Sequence, residues 1–258
     1  MGNNIIRTFD AGKLRVIVAE SRNEMGKLSA GHVAELIKKF LAEKNEIRMI
    51  FAAAPSQNEF LEELTKDKSI DWSKVTAFHM DEYIGLTSNS SELFSKYLND
   101  HIFSKVNFKK VYLINSQADD HKAECIRYEI ILKEAPIDIV CLGIGENGHI
   151  AFNDPLVADF NDKSFVKIVE LDMKCKAQQV NDGCFKTIDE VPANAYSLTV
   201  PALLAGTYLN VVVPDKRKAE AVKNTLYSSI STKCPATILR THHNAVLYLD
   251  KDSASIIE

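Results

Sequence analysis

Cysteine is scarce and scattered. The five thiols, Cys125, Cys141, Cys175, Cys184 and Cys234, are odd in number and form no close pair, which argues against a disulfide framework, a zinc motif or a redox pair. They are expected to be free and reduced. A basic surplus is also missing: 31 Lys and Arg stand against 35 Asp and Glu, a formal net charge of -4. Nucleic acid and anionic lipid are therefore not expected partners, and any bound anion must be held by a local site. No apolar run approaches membrane-spanning length. The N-terminus has no basic region followed by an apolar run and a small-residue cleavage site, so it does not read as a secretory signal. Met1-Gly2 begins like an acylation signal, but Arg7 follows Ile6 where that motif wants Ser or Thr. The expected compartment is the cytoplasm. There is no low-complexity linker, charge block or fixed-period repeat, and one domain over residues 1–258 is the simplest organisation.

What the chain does have is a globular composition, 46% hydrophobic and 26% charged, patterned as short β-branched runs alternating with amphipathic stretches. Strands are predicted over Leu14 to Val18, Arg48 to Ala53, Val75 to Phe78, Val111 to Ile114, Ile137 to Leu142, Tyr196 to Val200, Leu209 to Val213 and Ala245 to Leu249. Met25, Leu28, Val33, Leu36, Ile37 and Phe40 recur at helical spacing. The fold class that follows is α/β, with a central, mostly parallel, Rossmann-like sheet covered by helices on both faces, because several strands are apolar throughout. The polar, proline-bounded stretch from Leu156 to Lys163 is predicted to be a surface loop able to act as a lid.

Ligands of such sheets gather at the carboxyl ends of the strands. Three segments lie there: AAAPSQ at 52–57, HMDEYIG at 79–85, and GIGENGHIAFNDP at 143–155. The third matches the G-x-G-x-x-G spacing at Gly143, Gly145 and Gly148. No helical pattern follows and Pro155 interrupts, so no dinucleotide cofactor is expected. Its glycines permit positive φ and a close backbone approach to a ligand. Acids at Asp81, Glu82 and Asp154 with a histidine at His149 supply groups of different proton affinity, which general acid–base chemistry needs. His79 is read as a hydrogen-bonded structural residue. Trp72 is read as packing, and His242-His243 lacks metal-ligand spacing, so no metal is expected.

HMDEYIGL and GIGENGHIAFNDP resemble the two signature loops of the glucosamine-6-phosphate deaminase/isomerase family, within the larger group of 6-phosphogluconolactonase and ribose-5-phosphate isomerase-like folds. The similarity runs from about Leu14 to Leu249. It implies that Asp81 is the base that removes the C2 proton, that His149 opens the sugar ring, and that Asp154 supports the histidine. The implied reaction converts an aldose to a ketose, with ammonia leaving when a 2-amino group is present, on glucosamine-6-phosphate or galactosamine-6-phosphate. A lactonase, with His149 activating water, and a non-catalytic sugar-phosphate sensor are the alternative readings. Oligomeric state is left open, a homo-oligomer included.

The chain departs from the family pattern in several places. Asn147 stands where Asp is frequent, and Asp154 where Glu is commoner, shortening the reach by roughly 1.5 Å. Ala53 to Gln57 replaces a glycine- and threonine-rich phosphate loop. Proline has no amide hydrogen, so Ser56, Gln57 and the start of the next helix are the expected phosphate ligands there. A family arginine expected near Gln178 to Phe185 is missing. Lys218 matches the family lysine, and Arg240 is the candidate replacement for the arginine. Glu82, Gly145 and Gly148 complete the expected substrate contacts.

Overall fold

The computed structural model describes residues 4–257; Met1-Gly2, where the sequence begins like an acylation signal, lies outside them. In chain order the elements are β1 (Ile5–Ala11), β2 (Leu14–Ala19), α1 (Arg22–Glu43), β3 (Ile47–Phe51), α2 (Asn58–Lys66), β4 (Val75–His79), β5 (Asp81–Tyr83), α3 (Phe94–Leu98), β6 (Lys110–Tyr112), α4 (His121–Lys133), β7 (Ile139–Leu142), β8 (Val166–Glu170), α5 (Met173–Asn181), β9 (Asn194–Leu198), α6 (Val200–Leu204), β10 (Tyr208–Val213), α7 (Ala219–Tyr227) and β11 (Ala245–Asp250). Each apolar run read from the sequence contains a strand.

Eight strands form one sheet in the order β1-β2-β11-β10-β7-β3-β4-β6. Every neighbouring pair is parallel except β1 with β2 at the edge. Alternation along each strand sends successive side chains to opposite faces, and helices cover both. Val16, Ile50, Phe78, Val140, Val211 and Leu247 pack on one side with Tyr128 and Leu132 of α4 and Val222 and Leu226 of α7. On the other side Met49, Phe51, Cys141, Val212 and Tyr248 meet Met25, Val33 and Ile37 of α1 and Phe60 and Leu64 of α2. Each such apolar side chain contributes roughly 1.5–3 kcal/mol by leaving water. The two packed faces hold the strand ends, and therefore the site, in place. Side chains set the helix starts: Ser21 accepts the N–H of Glu24 at 3.3 Å before α1, and Asp120 caps α4 in the same way.

Three strands escaped the sequence reading. β1 alternates but its residues are never fully buried, so it carries no apolar run. β5 has only three residues, and β8 mixes two lysine- and glutamate-bearing positions among its apolar ones. The run at Tyr196 belongs to β9, which pairs antiparallel with β5 and β8 in a separate sheet rather than with the central one. All five cysteines are unpaired. No described helix is long and apolar enough to cross a membrane.

Candidate active site at the sheet's switch point

After β3 the chain adds β4 and β6 on one side, and after β7 it adds β10 and β11 on the other. The connections that follow the neighbouring strands β3 and β7 thus leave in opposite directions and open a crevice at the carboxyl edge. A cleft of about 800 Å³, open to solvent, lies there. Its walls come from Ala52–Ser56 after β3, Met80 after β4 and Asp81 at the start of β5, Gly143–Gly145 after β7, and Pro214, Asp215, Arg217 and Lys218 after β10. Gln178, Gln179 and Asp182, in and just beyond α5, close another side.

His149 enters this cleft from a turn that depends on two glycines. Gly148 adopts φ +83°, and a Cβ there would meet the Cys234 sulfur at 2.4 Å. A Cβ on Gly145 would lie 2.2–2.5 Å from the imidazole ring of His149, so only glycine leaves the ring its seat. The ring's Nδ1 is 2.8 Å from Asn147 Oδ1 and 2.9 Å from Asp154 Oδ1. Both neighbours are acceptors, so Nδ1 carries the hydrogen and Nε2 is left to exchange a proton with a molecule in the cleft. Asn147 also donates Nδ2–H to Asp154 Oδ1 at 2.7 Å and accepts the His149 amide at 3.1 Å. One amide thus serves as donor and acceptor at once, a role that a carboxylate at position 147 could not fill. Asp154 is 1% exposed. Burial opposes its ionisation, but hydrogen bonds and charge from His149, with those from Asn147 and Cys175, outweigh burial and hold its carboxyl below the ordinary range. His149, Asp154 and Cys175 each place one ligand-type atom within 4.8 Å of the others. The 2.9 Å His149–Asp154 contact is a hydrogen bond, closer than the roughly 3.3 Å separating two ligands of one tetrahedral ion.

Asp81 approaches from a different strand. In β5 adjacent side chains alternate, so Asp81 lines the cleft while Glu82 turns away and is fully buried. The Glu82 carboxylate accepts backbone N–H groups of Tyr83, Phe94 and Ser95 at 2.9–3.0 Å, fastening the start of α3. Asp81 is 7% exposed. Burial, reinforced by the charge of Glu82, pushes its carboxyl well above the ordinary carboxylate range, which makes it a stronger base than a solvated aspartate. Behind it His79 accepts the Ile114 N–H through Nε2 at 2.8 Å. Burial lowers its affinity for protons to about 3, so it stays neutral and structural.

A buried lysine stands at the other end of the cleft. Lys218 is 5% exposed, and among the described residues its ammonium has no hydrogen-bond partner. Burial lowers its affinity for a proton, partly offset by Asp182 and Glu146. Ser56 accepts Gln57 Nε2–H at 3.1 Å, so its own hydroxyl hydrogen is available to an anion.

The family described as glucosamine-6-phosphate isomerases/6-phosphogluconolactonase matches residues 20–169. The chain belongs to that family. It is 34% identical over 223 residues, 86% of this chain and 93% of the relative, to the glucosamine-6-phosphate deaminase of Listeria monocytogenes serotype 4a (strain HCC23). Its identity to the glucosamine-6-phosphate deaminase of Lactobacillus delbrueckii subsp. bulgaricus (strain ATCC BAA-365 / Lb-18) is 30%, over 95% of this chain and all of the relative. Among solved structures, a monomeric glucosamine-6-phosphate deaminase superposes with a TM-score of 0.85 at 30% identity, covering 93% of this chain and 99% of that one. A 6-phosphogluconolactonase from Thermotoga maritima, at 20% identity and a TM-score of 0.74 over 92% and 99% of the two chains, shares the fold.

Within this family fold, Asp81, His149, Gly145, Ser56 and Lys218 share one cleft, as expected, and Asn147 and Asp154 stand behind His149. Four expected substrate contacts do not line it. Glu82 is committed to backbone amides, and Gln57 is fully buried beneath Gly143, donating to Val212 O at 3.4 Å. Gly148 packs on Cys234. Arg240 donates to the carbonyls of Leu226 and Ser228; it sits in the turn before β11, tied away from the cleft, so it does not replace the missing arginine. The Leu156 to Lys163 segment is a loop, and none of its residues lines the cleft. Sequence reasoning missed Arg22 and Arg217, which do. Arg217 sits after β10 beside Lys218, where the strand-end rule alone would have found it.

Proposed function

We propose that this chain is a cofactor-independent deaminating aldose–ketose isomerase, converting glucosamine-6-phosphate or galactosamine-6-phosphate to a ketose 6-phosphate and ammonia. One observation carries the reading: a buried carboxyl of raised proton affinity, Asp81, and an imidazole anchored by a carboxylate, His149, face one cleft from two separate strand ends. His149 Nε2 gives and takes the ring-oxygen proton that opens the pyranose. Asp81 then takes the C2 proton from the open aldehyde and returns it to C1. The C2 amine becomes an iminium, water adds to it, and ammonia leaves as the C2 carbonyl forms. Ser56 and Lys218 hold the phosphate at the far end, positioning C2 over Asp81. Asn147 and Asp154 fix the orientation of the imidazole without touching substrate.

The test is an NMR assay of both hexosamine phosphates, following ammonia release and solvent deuterium at C2, run beside hydrolysis of 6-phosphogluconolactone. Ammonia release lost in Asp81→Asn supports the reading. Lactone hydrolysis without ammonia release would replace it with the hydrolase reading, and phosphate-sugar binding without C2 exchange with the sensor reading.

A further inference from the structure

The cations of the cleft differ in how completely they are occupied. Arg22 pairs through Nε with Glu59 at 2.7 Å, and its Nη2 donates to the Pro55 carbonyl, which ties it to α2 and to the loop after β3. Arg217 is held along one edge only. Its Nε lies 3.2–3.3 Å from both Asp215 carboxylate oxygens, and Nη2 lies 2.9 Å from Asp215 and 3.1 Å from Asp182. Nη1 is 3.8 Å from Glu146 Oε1, beyond hydrogen-bond range. A guanidinium presents five N–H donors in a fixed fork, and on Arg217 the Nη1 edge remains to be used. Next along the chain is Lys218, whose buried ammonium has no partner among the described residues. Both residues line the cleft. The cleft also holds Asp81, Asp182 and Asp215 against its three strong cations, so no net positive field draws an anion in. Directed N–H donors must hold it.

Resting on the reading above that the substrate is an amino-sugar phosphate, we propose that Arg217 is a second cationic ligand of its phosphate, its Nη1 edge and Lys218 Nζ sharing the anion while Asp215 and Asp182 fix the opposite edge. Asp182 lies in the Gln178 to Phe185 segment, where the arginine expected from the family is missing. In this chain that segment supplies the acid that steadies a guanidinium contributed from across the cleft. Lys218 brings charge, and Arg217 brings the planar geometry that orients the phosphate.

Calorimetric titration of the full chain with inorganic phosphate tests this without reference to turnover. Removing one charge-assisted ligand should weaken phosphate about tenfold to a hundredfold in Arg217→Ala, with KM for the sugar phosphate rising more than kcat falls. Arg217→Lys should recover part of the loss, since the charge returns without the fork. A purely structural ion pair would instead lower the thermal midpoint and leave phosphate affinity within about threefold. That outcome overturns the proposal, as does failure of the unaltered chain to bind phosphate. Asp182→Asn serves as the second variant: it keeps Arg217 in place and should alter phosphate affinity far less than Arg217→Ala, and an equal loss in both would again point to a structural role. Phosphate binding that depends on Arg217 in a chain that releases no ammonia would sink the deaminase reading and leave the phosphate ligand standing.

Discussion

At the His149 end of the cleft, the site's polar side chains bond to one another inside one short turn. Asn147, His149 and Asp154 bond to one another within eight residues of sequence. At the Lys218 end, a buried ammonium has no partner among the described residues and Arg217 is held along a single edge. The first arrangement is finished by the chain itself, which suits groups that must keep one geometry while protons move. The second, on the function proposed above, is finished by the substrate's phosphate. An unpaired buried ammonium is costly in a free protein, and on that proposal the cost is recovered when the phosphate binds.

The contrast is sharpest where the proton-transfer end is broken. Asp81→Asn should lower turnover about 10³- to 10⁴-fold, the upper range of a general base's contribution, as read by ammonia release. Its thermal midpoint should rise at pH 7. Asp81 has a folded-state affinity for protons raised above the unfolded value of 3.8, so its burial costs stability once the pH exceeds about 3.8, and Asn removes that cost. A lower midpoint in Asp81→Asn would contradict this account of the site.

Gly145→Ala comes next. The added methyl collides with the imidazole, and displacing a reacting group by about 1 Å costs roughly 100-fold. The change should fall on kcat, with phosphate affinity at the other end retained. Loss of both together would show that the two ends are not separable.

Asp154→Asn should cost about tenfold in kcat, since Asn147 still orients the ring. It should also change acid stability. The folded carboxyl is held below its ordinary value of 3.8. It therefore contributes stability that is present above about pH 3.8 and lost as the pH falls through the folded value. The variant's denaturation curve should lack that component below pH 4.

The smallest functional effect belongs to Arg240→Ala. Its guanidinium serves the backbone carbonyls of Thr237, Leu226 and Ser228, so the variant should lose about 1–3 kcal/mol of stability with KM for the sugar phosphate unchanged. A raised KM would place Arg240 back among the anion ligands.

Much of the sheet was legible because its strands are apolar on both faces and separated by helical periodicity. The exceptions share a cause. β1 and β8 are half-exposed, and β5 is three residues long, so no burial pattern marks them. Tyr196 to Leu198 is buried but in a different sheet, and burial alone does not say which neighbour a strand takes. Within the site, the strand-end loops pointed to Asp81, His149 and Lys218. Which of two adjacent acids faces the cleft was decided by the phase of β5 against β9. Which arginines do so was decided by where the fold places the start of α1 and the turn after β10.

The sequence by itself determined that two acid- and histidine-bearing loops follow separate apolar strands, that glycines leave room around His149, and that any anion must be bound locally. These are properties of short segments, fixed by local sterics and by periodicity. Only the tertiary structure decided that β3 and β7 lie side by side with their connections diverging, that Asp81 and His149 reach one cleft, and that Asp182 pairs with Arg217. Such pairings join residues far apart in the chain. They follow from which faces must be buried together and which buried polar groups must find partners, and no single segment contains that information.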